Sequence, residues 1–453
     1  MTRVLKFGGS SVATGELLRR VAELARTALP HAPLVVLSAT GKTTDALLAA
    51  ARAAERGDAA GARELAAGIR AKHETLARDL FGDEVPEDLA RELDAELSGL
   101  ERRLDGVAML GELSARSRDA IASTGELLST RLFAALLARE EFDGEWFDVR
   151  RVLRTDGNFG SAEPNEARIR ELCAAELAPR LRAGRIVVTQ GFVGATDQGV
   201  TTTLGRGGSD WSAALLGAAL DADEVQIWTD VEGVYTADPR VVPEARSIPE
   251  LSFAEAAELA AFGAKVLHPA TIQPAIVRRI PVTVRHTARP DGRFTTIRAE
   301  AASGRPLAAL ASRSPVTLLT VTSTRMLDQA GFLARLFAVF GRFGASIDLV
   351  ATAEVSVSLT IEADAPVAEL CAELEPFARV DVVPDRAIVA VVGERLKRTR
   401  GSAARVLAAA GDCHVELISM GANEINLSLV VAREDEHALV RRLHAALLGI
   451  AYD

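Results

Sequence analysis

A short apolar run, Val4–Phe7, breaks straight into Gly8-Gly9-Ser10-Ser11 and then into Leu17–Leu29, whose apolar residues fall at helical spacing. That helix stops at Pro30, and Pro33–Ala39 reads as a second strand bounded by Thr40-Gly41-Lys42-Thr43-Thr44-Asp45. Strand, glycine loop, helix and strand in that order predict a layered α/β domain with a largely parallel sheet. The glycine loop adds chemistry: successive backbone N–H groups before a helix make an anion site, and glycine lets phosphate approach the backbone. A purely structural strand-to-helix turn has the same look.

From Asp45 to about Ala138 the chain is rich in Ala, Leu, Arg and Glu at a 3.6-residue period, which predicts a run of helices. Strand candidates follow at 145–149, 185–194 and 224–231, then a helix over 253–268 ending near Gly263 and a last strand at 281–287. Between Thr287 and Pro315 Arg, Ser, Gly and Pro accumulate, as in an edge element and a linker. Beyond this the chain repeats itself. Residues 332–361 and 402–431 share an apolar helix, a glycine stop, a strand with one acid (Asp348, Glu416), a turn and an alternating strand. Each copy is preceded by an apolar strand (316–321, 387–392) and followed by a helix, which predicts two small paired units.

Size and charge narrow the function. At 453 residues, two or three domains are expected. No run nears the ~18 apolar residues of a membrane span. The apolar N-terminal stretch is too short for a secretory signal. A formal charge of −10 argues against nucleic acid or an anionic membrane as partner. Cys173, Cys371 and Cys413 lack metal-ligand spacing and read as free thiols of a reducing cytoplasm. Lysine says more: it occurs at 6, 42, 72, 265 and 397 in a chain that otherwise uses arginine. Lys6, Lys42 and Lys265 lie near glycines, where a compact point charge suits phosphate better than a planar fork. Chance and surface position are the plainer reading of any one of them.

Four further stretches carry chemistry. Gly41-Lys42-Thr43-Thr44 looks like the end of a Walker A loop, but Val36 stands where that pattern needs glycine, so a P-loop is rejected. Thr44 is left as a substrate-hydroxyl donor or a helix cap. Glu126, within Thr124-Gly125-Glu126, either complements a helix dipole or accepts from a substrate ammonium. The stretch 201–210, TTTLGRGGSD, gathers hydroxyls, glycines, Arg206, Ser209 and Asp210 ahead of an apolar helix. Arg206 suits bidentate capture of a carboxylate, and Asp210 a helix cap or the holding of a lysine or Mg²⁺. Finally, Trp228–Arg240 offers Tyr235 to a base, hydroxyls and carboxylates to ribose, and Arg240 to phosphates.

In order along the chain, KFGGSSV, TGELLST, WFDVR, QGFVG, TTTLGRGGSDWSAALL, TDVEGVYTADPR and FGAKVLHPAT resemble the aspartokinase family of the amino-acid kinase superfamily. The C-terminal repeat resembles that family's paired ACT domains, and the long helical segment resembles its monofunctional, lysine-sensitive members. This implies an αβα sandwich with a mainly parallel sheet over 1–300, a linker at 301–314, and two tandem ferredoxin-like βαββαβ units at 315–385 and 386–453. It also implies γ-phosphoryl transfer from ATP, with Mg²⁺, to the side-chain carboxylate of L-aspartate. A cytoplasmic homodimer or dimer of dimers through the ACT domains, inhibited by lysine, completes the expectation.

Residue by residue, the resemblance has Lys6 stabilise the transferring phosphoryl, with Asp210 orienting it. Gly8, Gly9 and Ser10 would line the phosphates, and Arg206 would grip the aspartate α-carboxylate. Thr44, Glu126 and Ser209 would fix the rest of the substrate, and Thr229, Asp230, Tyr235, Arg240 and Lys265 the nucleotide. No general base is required, because an aspartate carboxylate is ionised at neutral pH. Alignment and charge neutralisation are then the catalytic task. An effector lysine would lie along Met326, Phe332, Leu333, Ser346, Asp348 and Glu354; the chain departs from its lysine-sensitive relatives at Asp328, Gln329 and Ala353. The two acids have a plainer reading as solvated strand ends. Two rivals stand beside this reading. One is a superfamily kinase for another acceptor, a group that generally lacks the tandem repeat. The other is a non-catalytic sensor on the same fold, against which Lys6, Arg206, Asp210 and Lys265 speak.

Overall fold

The computed structural model describes residues 2–263, 269–301, 307–326, 330–421 and 423–449. The chain forms two compact units, Met1–Val234 with Val266–Glu300, and Tyr235–Lys265 with Ala301–Asp453.

The first unit opens with β1 (Arg3–Phe7), α1 (Gly15–Thr27, capped by the Thr14 hydroxyl accepting from Leu17 N) and β2 (Pro33–Leu37). The predicted helical run is α2 (Thr43–Glu55), α3 (Ala59–Phe81), α4 (Glu87–Leu110), α5 (Ala115–Ala122) and α6 (Thr124–Arg139). Then come β3 (Gly144–Trp146), α7 (Glu166–Leu172), α8 (Ala178–Arg182), β4 (Ile186–Gln190), β5 (Val193–Ala195), β6 (Thr201–Thr203), α9 (Gly208–Ala219) and β7 (Glu224–Thr229). After β8 (Glu250–Ser252) and α10 (Phe253–Ala261), which belong to the second unit, α11 (Pro269–Val277), β9 (Val282–His286) and β10 (Thr295–Arg298) return to the first.

Its strands run in the order β3-β4-β2-β1-β7-β9-β10, parallel from β3 to β9. Every residue of β2 and β4 is buried, as expected of parallel strands covered on both faces. On one face Leu5, Phe7, Val35 and Leu37 pack with Leu18, Val21, Leu47, Leu128 and Phe133 from the helices. The chain leaves β1 toward β2 and β4 on one side and places β7 on the other. The carboxyl end of β1 therefore lies beside the reversal of strand order, where open α/β sheets bind ligands.

The second unit continues with β11 (Ala309–Thr322), α12 (Phe332–Arg342), β12 (Ile347–Thr352), β13 (Ser356–Glu362), α13 (Val367–Leu374) and β14 (Arg379–Val392). It ends with α14 (Ser402–Ala410), β15 (Leu417–Met420), β16 (Asn426–Ala432) and α15 (Glu436–Leu447). One antiparallel sheet joins both repeats in the order β12-β13-β11-β14-β16-β15. Residues 316–322 of β11 pair with β13 and with the first half of β14, completing the first ferredoxin-like repeat. Residues 309–313 of β11 pair instead with 388–392 of β14 and so give the second repeat its last strand. Part of the stretch read as linker is thus a strand: Ala309 and Leu310 are buried, Leu310 in a core with Val389, Val391, Leu429 and Leu443.

Residues 235–265, read from sequence as part of a 1–300 domain, pack with this second unit. Ala237 and Val242 join its core, and Thr236 O accepts from Leu310 N at 2.8 Å. Glu255 completes a capping box with Ser252 and also accepts from Glu394 N at 2.9 Å, while Glu258 accepts from Asn426 Nδ2 at 3.0 Å.

Candidate active site

The loops after β1 and β2, the start of α6 and the glycine-rich turn before α9 enclose a cavity of about 340 Å³. Lys6, Gly8, Gly9, Thr44, Glu126, Ser209 and Asp210, all expected site residues, line it together with Phe192 and Ser38. Segments separated by about two hundred residues converge where the start of α6 and the turn before α9 meet the loops at the carboxyl ends of β1 and β2, through Glu126 on Ala39 N and Asp210 on Lys6.

Lys6 is on β1, in register with Val36 and Ile227, so its backbone is held on both sides. Its Nζ lies 2.6 Å from Asp210 Oδ1, with the two side chains only 10% and 15% exposed. Asp210 stands in the first turn of α9, where the helix dipole favours its negative charge. The turn reaches that position through Gly207, whose φ of 72° lies in the left-handed region that favours glycine. Gly9 has a different reason. A Cβ there would fall 2.8 Å from Ala39 O and 2.9 Å from Gly41 O, so the β1 and β2 loops can touch only around a bare backbone. The contact is closed by Gly41 N donating to Gly9 O at 2.9 Å.

Glu126 is the most perturbed acid of the cavity. It is 3% exposed; Oε1 accepts from Ala39 N at 3.1 Å, and Oε2 has no hydrogen-bond partner. Burial pushes its carboxyl up to about 8, partly offset by the Ala39 N–H. Of the two meanings left open by the sequence, a solvated dipole charge does not describe this sealed carboxyl. Behind the β2 loop, Lys72 Nζ donates to Thr40 O at 2.6 Å and to Thr43 Oγ1 at 2.9 Å. His73 bonds Ile69 O through Nδ1 and Thr40 Oγ1 through Nε2, and burial lowers it to about 4, so it is neutral.

Other expected residues are placed differently. Ser10 and Arg206 are exposed, Arg206 between the cavity-lining Gly205 and Gly207. Thr229 ends β7 and donates to Asp230 Oδ1 at 3.1 Å. Tyr235 and Arg240 fall in the second unit, where Arg240 forms a bidentate pair with Asp238 that raises the guanidinium and lowers the carboxyl. Lys265 lies outside the described residues. In the first repeat Met326 is half-buried and Phe332 is a core residue, edge-on to Phe377 at 5.9 Å. Leu333, Ser346 and Glu354 are exposed. Asp348 pairs with Arg313 at 2.7 Å and keeps Oδ2 unpartnered; burial raises its carboxyl, opposed by Arg313.

The profile of the amino acid kinase family matches residues 1–286, and that of an ACT domain matches residues 389–447. The chain is 40% identical to the lysine-sensitive aspartokinase 3 of Escherichia coli K12, over 98% of both chains. It is 38% identical to the chloroplastic aspartokinase 3 of Arabidopsis thaliana, over 98% of this chain and 81% of that one. The crystal structure of E. coli aspartokinase III with aspartate and ADP, in its R-state, superposes with a TM-score of 0.84 at 40% identity, covering 99% of this chain and 100% of that one. The same enzyme with lysine and aspartate, in its T-state, gives 0.84 over 98% and 99%. With the kinase and ACT families matched in this order and identity running across nearly its whole length, the chain belongs to the aspartokinases of the amino acid kinase family.

Proposed function

We propose that this aspartate kinase transfers the γ-phosphoryl of ATP to the side-chain carboxylate of L-aspartate within the cavity, giving 4-phospho-L-aspartate. The observation that carries the reading is one cavity shared by the largely sheltered Lys6–Asp210 pair and by a buried Glu126 whose Oε2 has no partner. Lys6 faces the transferring phosphoryl as a point charge, and Asp210 fixes where its ammonium sits. Glu126 receives the substrate ammonium, Arg206 the α-carboxylate, and Thr44 and Ser209 the remaining polar groups. Gly8, Gly9 and Ser10 run along the phosphates, and Thr229, Asp230, Tyr235, Arg240 and Lys265 hold the nucleotide. The attacking carboxylate is already ionised, so no side chain need take a proton.

Mg²⁺ fits this site as a companion of the nucleotide. Among the described residues no group of three or more His, Cys, Asp or Glu forms a cage, and Mg²⁺ commonly takes one or two carboxylates plus phosphates and water. Asp210 is the carboxylate that would meet it, and the ion would supply charge neutralisation on the phosphates. Lysine is the proposed inhibitor, received in the first repeat by Asp348 and Glu354 with Met326, Phe332, Leu333 and Ser346 around it. Its ammonium has to share Asp348 with Arg313 or use the free Oδ2. Association into a homodimer or a dimer of dimers through the repeats is supported by Val350, exposed on β12, an end strand of the sheet order. A reducing cytoplasm suits the three free thiols, of which Cys173 is buried and raised to about 12. ADP release with L-aspartate and Mg-ATP, repeated with added lysine, threonine or methionine, tests both parts. Absence of turnover sinks the kinase reading, and turnover indifferent to lysine sinks only the inhibition.

A further inference from the structure

Asp119 belongs to none of the sites above, yet it is 1% exposed and faces no cation within hydrogen-bond reach among the described residues. It opens the second turn of α5, a helix of 8 residues in the layer that the sequence marked only as helical. Its Oδ2 accepts from Gly160 N at 2.9 Å and from Thr203 N at 2.8 Å, and its Oδ1 accepts from the Thr203 hydroxyl at 2.9 Å. Burial nevertheless raises its carboxyl, the hydrogen bonds opposing. A carboxyl buried without a cation in hydrogen-bond contact is costly to fold around.

What Asp119 holds explains its presence. Thr203 is the last residue of β6, and Leu204 then leads into Gly205-Arg206-Gly207-Gly208-Ser209-Asp210. Gly160 belongs to the loop against which that turn rests: a Cβ on Gly205 would come 3.1 Å from Gly160 O, and Ala162 N donates to Thr203 O at 3.0 Å. The far end of the turn is anchored separately, by α9 and by the Lys6–Asp210 pair. Between these anchors the exposed Arg206 has only the turn's backbone to set its position.

We propose that Asp119 is a positioning residue for substrate binding: it pins β6 and the Gly160 loop together and so sets the turn from which Arg206 and Ser209 reach the aspartate. The proposal rests on the kinase reading above. Because α9 and Lys6 secure Asp210 independently, loosening the pin acts on the hold on L-aspartate more than on the nucleotide or the chemical step.

The test is steady-state kinetics of wild type, Asp119→Ala, Asp119→Asn and Thr203→Val, with thermal unfolding measured alongside. Asp119→Ala is expected to raise KM for L-aspartate roughly tenfold or more, with KM for ATP within about threefold of wild type. Asp119→Asn keeps an oxygen for both N–H groups and a donor for the Thr203 oxygen, so it should restore the aspartate KM to within about threefold. Thr203→Val, which loses one of the three bonds, should raise it by about two- to threefold. Should Asp119→Ala not fold, the Thr203→Val and Asp119→Asn pair decides. An unmoved aspartate KM in folded Asp119→Ala or, failing that, in Thr203→Val overturns the proposal. So do equal losses in the Asn and Ala variants, or equal rises in both KM values. Wild type without turnover on L-aspartate overturns the kinase reading instead.

Discussion

Replacing Glu126 by Gln should make the substrate-free protein more stable and a poorer enzyme, and the stability gain should depend on pH in a defined direction. Burial raises this carboxyl from 4.5 in the unfolded chain to about 8 in the fold. Between those values the folded protein holds a proton that the unfolded chain has released, so wild-type stability falls as pH rises, by about 1.4 kcal/mol per unit, and levels off above 8. The contribution is full below pH 4.5 and is lost as pH climbs through the folded value. Glutamine mimics the protonated form at every pH, keeping an oxygen for Ala39 N. The advantage of Glu126→Gln over wild type should therefore grow by roughly 3 kcal/mol between pH 4.5 and 7. All three tryptophans (Trp146, Trp211, Trp228) lie in the first unit, so urea unfolding followed by their fluorescence reports on this site. The same substitution removes a charge-assisted acceptor of about 1.5–3 kcal/mol, which raises KM for aspartate ten- to a hundredfold. A stability difference that stays flat from pH 5.5 to 8, or a less stable Glu126→Gln at pH 7.5, would refute the reasoning.

Lys6→Met should lower kcat by roughly two to three orders of magnitude with the fold retained by circular dichroism; a change in KM alone would contradict its role at the phosphoryl group. Gly9→Ala pushes a methyl against two backbone oxygens that cannot swing aside, so KM for ATP should rise about tenfold; unchanged ATP kinetics would count against the phosphate loop. His73 is neutral and lowered from 6.5 to about 4, so it stabilises the fold above pH 6.5 and that stability is lost as pH falls toward 4. His73→Gln should flatten the acid limb of the unfolding curve, and a limb of unaltered slope removes His73 as its cause. Asp348→Asn should raise the lysine concentration for half-inhibition about tenfold with kcat untouched, measured by ADP release.

Much of the first unit was legible because its signals are local. A buried parallel strand, two glycines and a helix must be contiguous to work, and residues 4–29 show all three in that order. The turn 205–210 is legible for the same reason. Glu126 was ambiguous, since whether a first-turn acid is solvated or sealed depends on Ala39, 87 residues away. Asp119 and His73 carried no signal at all, and Lys72 only the rarity of lysine: each is an ordinary residue of a periodic helix until α3 and α5 dock on loops far along the chain. The same holds for 309–313, whose short pattern gives no hint that its partner is β14. Residues 235–265 continue the kinase motifs in sequence, while Ala237, Val242 and Glu255 find their contacts in the second unit.

The crossed strands of the repeat sheet have a consequence for how such a chain can change. Since β11 and β14 each contribute one half to either repeat, neither repeat has a boundary at which it can be cut out whole. Truncation after the first would strip 309–313 of its partner and bare the buried Leu310, and grafting the second elsewhere would leave it a strand short. The two copies share a pattern, but the interleaving makes them a single part, to be lost, exchanged or redesigned only together.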